Sequence, residues 1–211
     1  METWLDVRGR VPWERVRPHP QNEVRGRCDG VVDYVNATRQ SRGEQRADRL
    51  LTAVLQARAD AAGGARLGFG LLSAWQRLVL ATDDASFRSG AAFAKRGRER
   101  YGLRRDTVAV FDHCLAGAQD DPLPLAARAA RAYLDVCFFH PFADGNARAA
   151  LVVLDFLLAL ADVRLEQVAP VVVPRRADDA EGALALADLI AMLIISAGRQ
   201  RHRVPSPPAP A

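Results

Sequence analysis

Apolar residues recur at three-to-four spacing through most of this chain, a pattern that predicts a succession of helices. From Arg46 to Ala62 the apolar positions Ala47, Leu50, Leu51, Val54 and Leu55 mark one face, and Gly63-Gly64 ends it. A second helix is expected over 67–81. Between Asp83 and Arg105 the helical period fails: Gly90, Gly97 and Gly102 interrupt it, and Lys95-Arg96-Gly97-Arg98 adds a basic cluster, so an exposed loop or small hairpin is predicted. Helical spacing resumes at Thr107, expected as an N-cap, and runs to Gly117. The next helix is predicted with Asp121 at the cap and Pro122 in the first turn, and Pro141 stops it after Phe139 because the residue before a proline is pushed out of the α region. The run 149–161 is apolar nearly all round, which suits a central buried helix, and 179–197 forms the last one.

Three regions follow from this pattern. Residues 1–45 carry many Arg and Pro with one apolar patch at Val31, Val32, Tyr34 and Val35, and read as an N-terminal extension with one short helix. Residues 46–200 form the main domain, and the Pro-rich tail 201–211 has almost nothing to bury and is expected to be disordered. At 211 residues, 49% of them apolar and rich in Ala and Leu, the chain is expected to be a single all-α domain. Cys28, Cys114 and Cys137 form no C-x-x-C pair and read as buried free thiols of a reducing cytoplasm, export as an effector being the alternative. The N-terminus lacks an apolar leader core and no uninterrupted apolar run approaches a bilayer span, so no membrane contact is expected. A net charge of +4 is carried almost wholly by arginine, Lys95 being the sole lysine; it lacks the interleaved aromatics of a nucleic-acid surface, and nucleic acid is not an expected partner.

The chemistry concentrates between positions 140 and 148. His140 lies at a helix end, Asp144 in the turn, and the amides of Gly145, Asn146 and Ala147 at the start of the next helix, where unpaired N–H groups and the dipole favour an anion. Arg148 adds a bidentate cation and Asp144 a hard oxygen ligand suited to Mg²⁺ beside phosphates. His140 is the group able to take a proton near neutral pH, with Pro141 and Phe142 fixing its direction. His19, His113 and His202 read as solvated or packed, the three tryptophans as packing, and Asp155 as the partner of a neighbouring arginine.

His140-Pro-Phe-Ala-Asp-Gly-Asn-Ala-Arg148 resembles the Fic family signature H-P-F-x-[DE]-G-N-G-R-x-x-R. The resemblance extends to a helical arrangement over 67–196, with a small β-hairpin flap that starts near Phe87-Arg88. It implies Mg²⁺-dependent attack by a Ser, Thr or Tyr hydroxyl of a protein target on a nucleotide, most commonly placing AMP from ATP. In that reading His140 is the base, Asp144 the metal ligand, Gly145, Asn146, Ala147 and Arg148 the phosphate site, and Arg88, Lys95 and Arg96 part of the target-docking flap. Two positions depart from the signature: Ala147 stands for its second glycine and Leu151 for its last arginine. Leu151 resembles the Doc branch, which implies a kinase that transfers the terminal phosphate, and the departures also admit a degenerate fold that binds nucleotide or partner without chemistry. A small-molecule target is a further alternative. The inhibitory [ST]-x-x-x-E-[GN] motif of the family has no counterpart, since Ala177 precedes Glu181-Gly182, which implies control by a separate inhibitor or none of this kind.

Overall fold

The computed structural model describes residues 2–18, 24–94, 99–120 and 122–201. Among them, nine α-helices form an all-α fold: α1 (Glu2–Arg10), α2 (Gly30–Ala37), α3 (Arg39–Arg42), α4 (Glu44–Ala62), α5 (Phe69–Leu80), α6 (Thr107–Asp120), α7 (Leu125–Phe139), α8 (Asn146–Ala159) and α9 (Ala180–Arg201). Two short strand pairs complete it. β1 (Val24–Arg25) lies parallel to β4 (Val163–Arg164), and β2 (Ala92–Ala94) with β3 (Glu99–Tyr101) makes the antiparallel hairpin expected between α5 and α6.

The centre is α8. Every residue from Ala149 to Leu158 is buried, because α7, α4 and α5 cover it on different sides. α7 brings Ala126, Ala127, Ala129, Ala130 and Ala132 to the core, small side chains that let neighbouring helices approach closely. Its outer flanks are covered by α6 and α9. The buried residues of α9, among them Ala183, Leu186, Ala187, Ile190 and Ile194, recur at helical spacing. Among the described residues α9 alone is long and apolar enough to cross a bilayer, yet this stripe packs on α7 and β1.

The N-terminal region differs most from the sequence pattern. Instead of an extension with one short helix, it holds three helices before residue 43, a 3₁₀ turn at Trp13–Arg15 and strand β1, and Trp4, Val7, Trp13, Val16 and Val35 are buried in the common core. Polar contacts fix it. The Trp4 indole donates to Asp135 Oδ1 at 2.8 Å and Arg8 Nε donates to the same oxygen at 2.9 Å, which satisfies a carboxylate that α7 carries fully buried. Gly30 admits α2 against the 165–167 strand exit: its amide donates to the Leu165 carbonyl at 2.9 Å, and a Cβ there would lie 2.4 Å from the Gln167 nitrogen. Arg58 of α4 ties this region inward by bonding both Asp155 of α8, at 2.7 Å, and Asp29, the N-cap of α2.

Other corrections are local. α7 starts at Leu125 with Pro124 as N-cap, its carbonyl accepting from Arg128, so Pro122 lies in the preceding turn and Asp121 outside the described residues. Cys28 is exposed, whereas Cys114 is buried and Cys137 partly so; burial pushes these last two thiols up to about 11 and about 12, leaving both protonated at neutral pH. His19, His202 and the tail 202–211 are outside the described residues.

Candidate active site

The turn between α7 and α8 sets the site. α7 ends at Phe139, and His140 caps it in the left-handed region, φ 53° and ψ 57°, a conformation that costs a non-glycine residue about 1 kcal/mol and persists only where surroundings impose it. Arg88 imposes it. Its Nε donates to the His140 carbonyl at 2.7 Å, its Nη2 to Phe139 at 3.2 Å and to Gly102, and its backbone amide to Pro141 at 2.8 Å. The last carbonyls of a helix lack intrahelical donors and carry the negative end of its dipole, so a cation is drawn there. The docking role expected of Arg88 therefore gives way to an inward one: the guanidinium braces the histidine turn, and burial lowers its pKa without a facing carboxylate.

Phe142 anchors the turn from below, fully buried and stacked on Phe69 at 5.7 Å, within a cluster that includes Phe87, Phe111 and Phe139. Asn146 closes the loop. Its Oδ1 accepts from the Phe142 amide at 2.9 Å and its Nδ2 donates to the Phe142 carbonyl at 2.8 Å. Both polar atoms of this side chain are thus used inside the loop, and the phosphate contact expected of Asn146 is left to its backbone amide. Gly145, at φ 79°, precedes α8, and a Cβ there would lie 2.6 Å from Gln76 Nε2, the atom that donates to the Asp144 carbonyl at 2.7 Å. The amides of Gly145, Asn146 and Ala147 have no intrahelical acceptor, while those of Arg148 and Ala149 already bond the Gly145 carbonyl.

His140, Asp144, Gly145, Asn146, Ala147 and Arg148 line one cavity of about 510 Å³, as the sequence grouped them. The His140 ring lies 4.7 Å from that of Tyr101, stacked within 7°, so the hairpin orients it, and its Nδ1 faces the Cys137 carbonyl at 3.5 Å. Asp144 is exposed, and its Oδ2 accepts from Arg148 Nη2 at 3.0 Å and from Arg46 Nη2 at 3.1 Å. Arg148 also donates to the Val79 carbonyl at 3.1 Å; burial first, then Arg46, pushes its pKa down, with Asp144 opposing. Asp144 is the lone carboxylate among the described residues of this lining, and no cluster of three or more His, Cys, Asp or Glu side chains is found among the described residues. Such a donor set fits Mg²⁺, which takes one or two carboxylates and fills its remaining positions with phosphate oxygens and water.

Several residues of the site gave no sequence signal. Tyr34, Thr38, Arg42 and Arg46 reach the cavity from α2, the turn after it, α3 and α4, and a boundary drawn between 45 and 46 separates two arginines of one wall. Gln76 and Tyr101 sit far from 140–148 along the chain. Phe93, 61% exposed on β2, reaches the mouth, while Lys95 and Arg96 lie outside the described residues. A second cavity of about 180 Å³ shares His140, Asn146 and Ala147 and is otherwise walled by residues such as Tyr133, Leu134 and Val172. No glutamate lines either cavity among the described residues, and Leu151 is 1% exposed in the core.

Residues 75–158, which include the whole turn and both flanking helices' facing ends, match the family model described as the Fic/DOC family. A solved structure of a Fic domain containing signaling protein from Bacteroides thetaiotaomicron VPI-5482 superposes with a TM-score of 0.56 at 15% identity, covering 74% of this chain and 69% of that one, a likeness of fold. No curated protein matches the chain.

Proposed function

We propose that this chain, whose segment 75–158 is of the Fic/DOC family, is a transferase that moves a nucleoside monophosphate, AMP from ATP, onto a hydroxyl of a protein target. Proteins of that family are typically transferases. The observation that carries the finer reading is one cavity in which His140 and the open amides at the start of α8 face the same space.

In this reading a Ser, Thr or Tyr oxygen attacks the α-phosphorus and its proton passes to the His140 imidazole. The bond from that phosphorus to the bridging oxygen breaks, and pyrophosphate leaves with the electron pair. A proton on Nδ1 points at the Cys137 carbonyl, which leaves Nε2 to accept. The amides of Gly145, Asn146 and Ala147 and the Arg148 guanidinium bear the phosphate charge. Asp144 would hold Mg²⁺ with the phosphates, where the ion neutralises charge on the departing group. Its Oδ2 accepts from Arg46 and Arg148, which incoming phosphates would draw towards themselves. The target docks along the exposed hairpin by main-chain pairing, with Phe93 beside the mouth. Control by a separate inhibitor accords with the lack of a glutamate in the described lining.

A second reading, transfer of the γ-phosphate by a Doc-like kinase, is favoured by one observation: Leu151 is buried and places no charge at the phosphates. Radiolabel separates the two. Incubated with ATP and the proteome of an expressing host, α-label alone on protein supports AMP transfer, γ-label alone supports the kinase, and neither label with any nucleotide supports binding without chemistry.

A further inference from the structure

We propose that Arg42 and Arg46, at the corner between α3 and α4, form with Arg148 a seat for the polyphosphate tail of a nucleoside triphosphate. The inference rests on the triphosphate reading above and adds residues from outside the 140–148 turn.

All three arginines line the 510 Å³ cavity, a size suited to a nucleotide. Arg46 of α4 and Arg148 of α8 meet on one oxygen, Asp144 Oδ2, at 3.1 and 3.0 Å. Arg42 stands over the Tyr34 ring, 5.7 Å from its centroid, which holds the guanidinium at the same wall without neutralising it. His140 aside, three cations against the single carboxylate of the described lining leave two positive charges uncompensated. Burial lowers the Arg148 pKa most, and Arg46, Arg49 and Arg42 each lower it further against the opposing Asp144. Such crowding of like charges is unfavourable by itself and is relieved by a polyanion. Planar guanidinium forks match phosphate oxygens two at a time, and the α8 amides open into the same space, so a chain of phosphates satisfies both sets of donors together. Gly43, at φ 95°, turns the chain between α3 and α4 so that both arginines reach one wall.

Calorimetry with inorganic tripolyphosphate, a non-hydrolysable ATP analogue and AMP tests the seat on the native chain, Arg42→Ala, Arg46→Ala and the double variant, each checked for fold by circular dichroism. Both arginines are exposed, so the fold should hold. We expect each alanine to weaken tripolyphosphate and the ATP analogue about tenfold, as loss of a charged hydrogen bond does. AMP should change much less, and Arg46→Lys should restore part of the loss. Native tripolyphosphate affinity in the folded double variant, or equal weakening of AMP, overturns the proposal. So does a polyglutamate peptide that loses binding in these variants while tripolyphosphate does not, since the wall then serves an acidic target. Failure of the transfer reading looks different: tripolyphosphate affinity then falls as expected, yet neither ATP label reaches protein.

Discussion

His140 is the residue on which sequence position and backbone strain agree, a left-handed cap held by Arg88 and stacked on Tyr101. His140→Ala should keep the circular dichroism of the native chain and lower label transfer by on the order of a hundred- to ten-thousand-fold, the span of a positioned base; full activity would remove His140 from the chemistry. Arg88 acts one step behind. Arg88→Ala leaves the Phe139 and His140 carbonyls short of donors, so we expect a lower kcat with little change in KM for nucleotide, partly recovered in Arg88→Lys. A selective rise in KM for the protein target would restore Arg88 to target docking.

At the scale of elements, α8 is core along most of its length and lines the cavity at its start, and its two ends obey different rules. Leu151 lies one turn in, fully enclosed, so Leu151→Arg buries an unpaired charge and should cost about 3–5 kcal/mol, read as a drop in thermal midpoint or loss of soluble protein. A stable variant with tighter triphosphate binding would show that the helix start can turn that side chain to the site. α1 presents the converse case, an element placed by a polar contact. Arg8→Ala leaves Asp135 with the Trp4 indole as its remaining side-chain partner from α1 and should destabilise the chain by on the order of 3 kcal/mol, measured by urea unfolding.

For the whole molecule, Arg58 joins α2, α4 and α8 through Asp29 and Asp155. Burial opposes ionisation of Asp29, yet bonds from Arg58 and the Val32 amide hold its pKa below the ordinary 3.8. A depressed carboxyl contributes stability above its unfolded pKa and loses it as pH falls through the folded one. Asp29→Asn keeps a competent N-cap and removes the charge, so it should destabilise the chain at pH 7. The gap to the native chain should close below about pH 4, and thermal unfolding across pH that shows a constant gap would remove the ion pair from the acid response. Asp155, more deeply buried, shifts upward through desolvation, so its own contribution runs the other way, and removing the Asp29 charge eases part of that shift.

The all-α class, the buried run of α8 and the six grouped residues from His140 to Arg148 were determined by local order alone: helical periodicity, a proline stop and a helix start are properties of neighbours in the chain. Tertiary structure decided what lies across from them. Arg42 and Arg46 became one wall because α4 packs on α8, Tyr101 met His140 because a hairpin folds back, and Asn146 turned inward because the Phe142 backbone offered both a donor and an acceptor at bonding distance. The N-terminal region departs from the sequence pattern for the same reason. Its anchors, Trp4 and Arg8, are few and match a buried carboxylate 131 and 127 residues away, a pairing that no period in the sequence records because it exists only once α7 has placed Asp135 in the core.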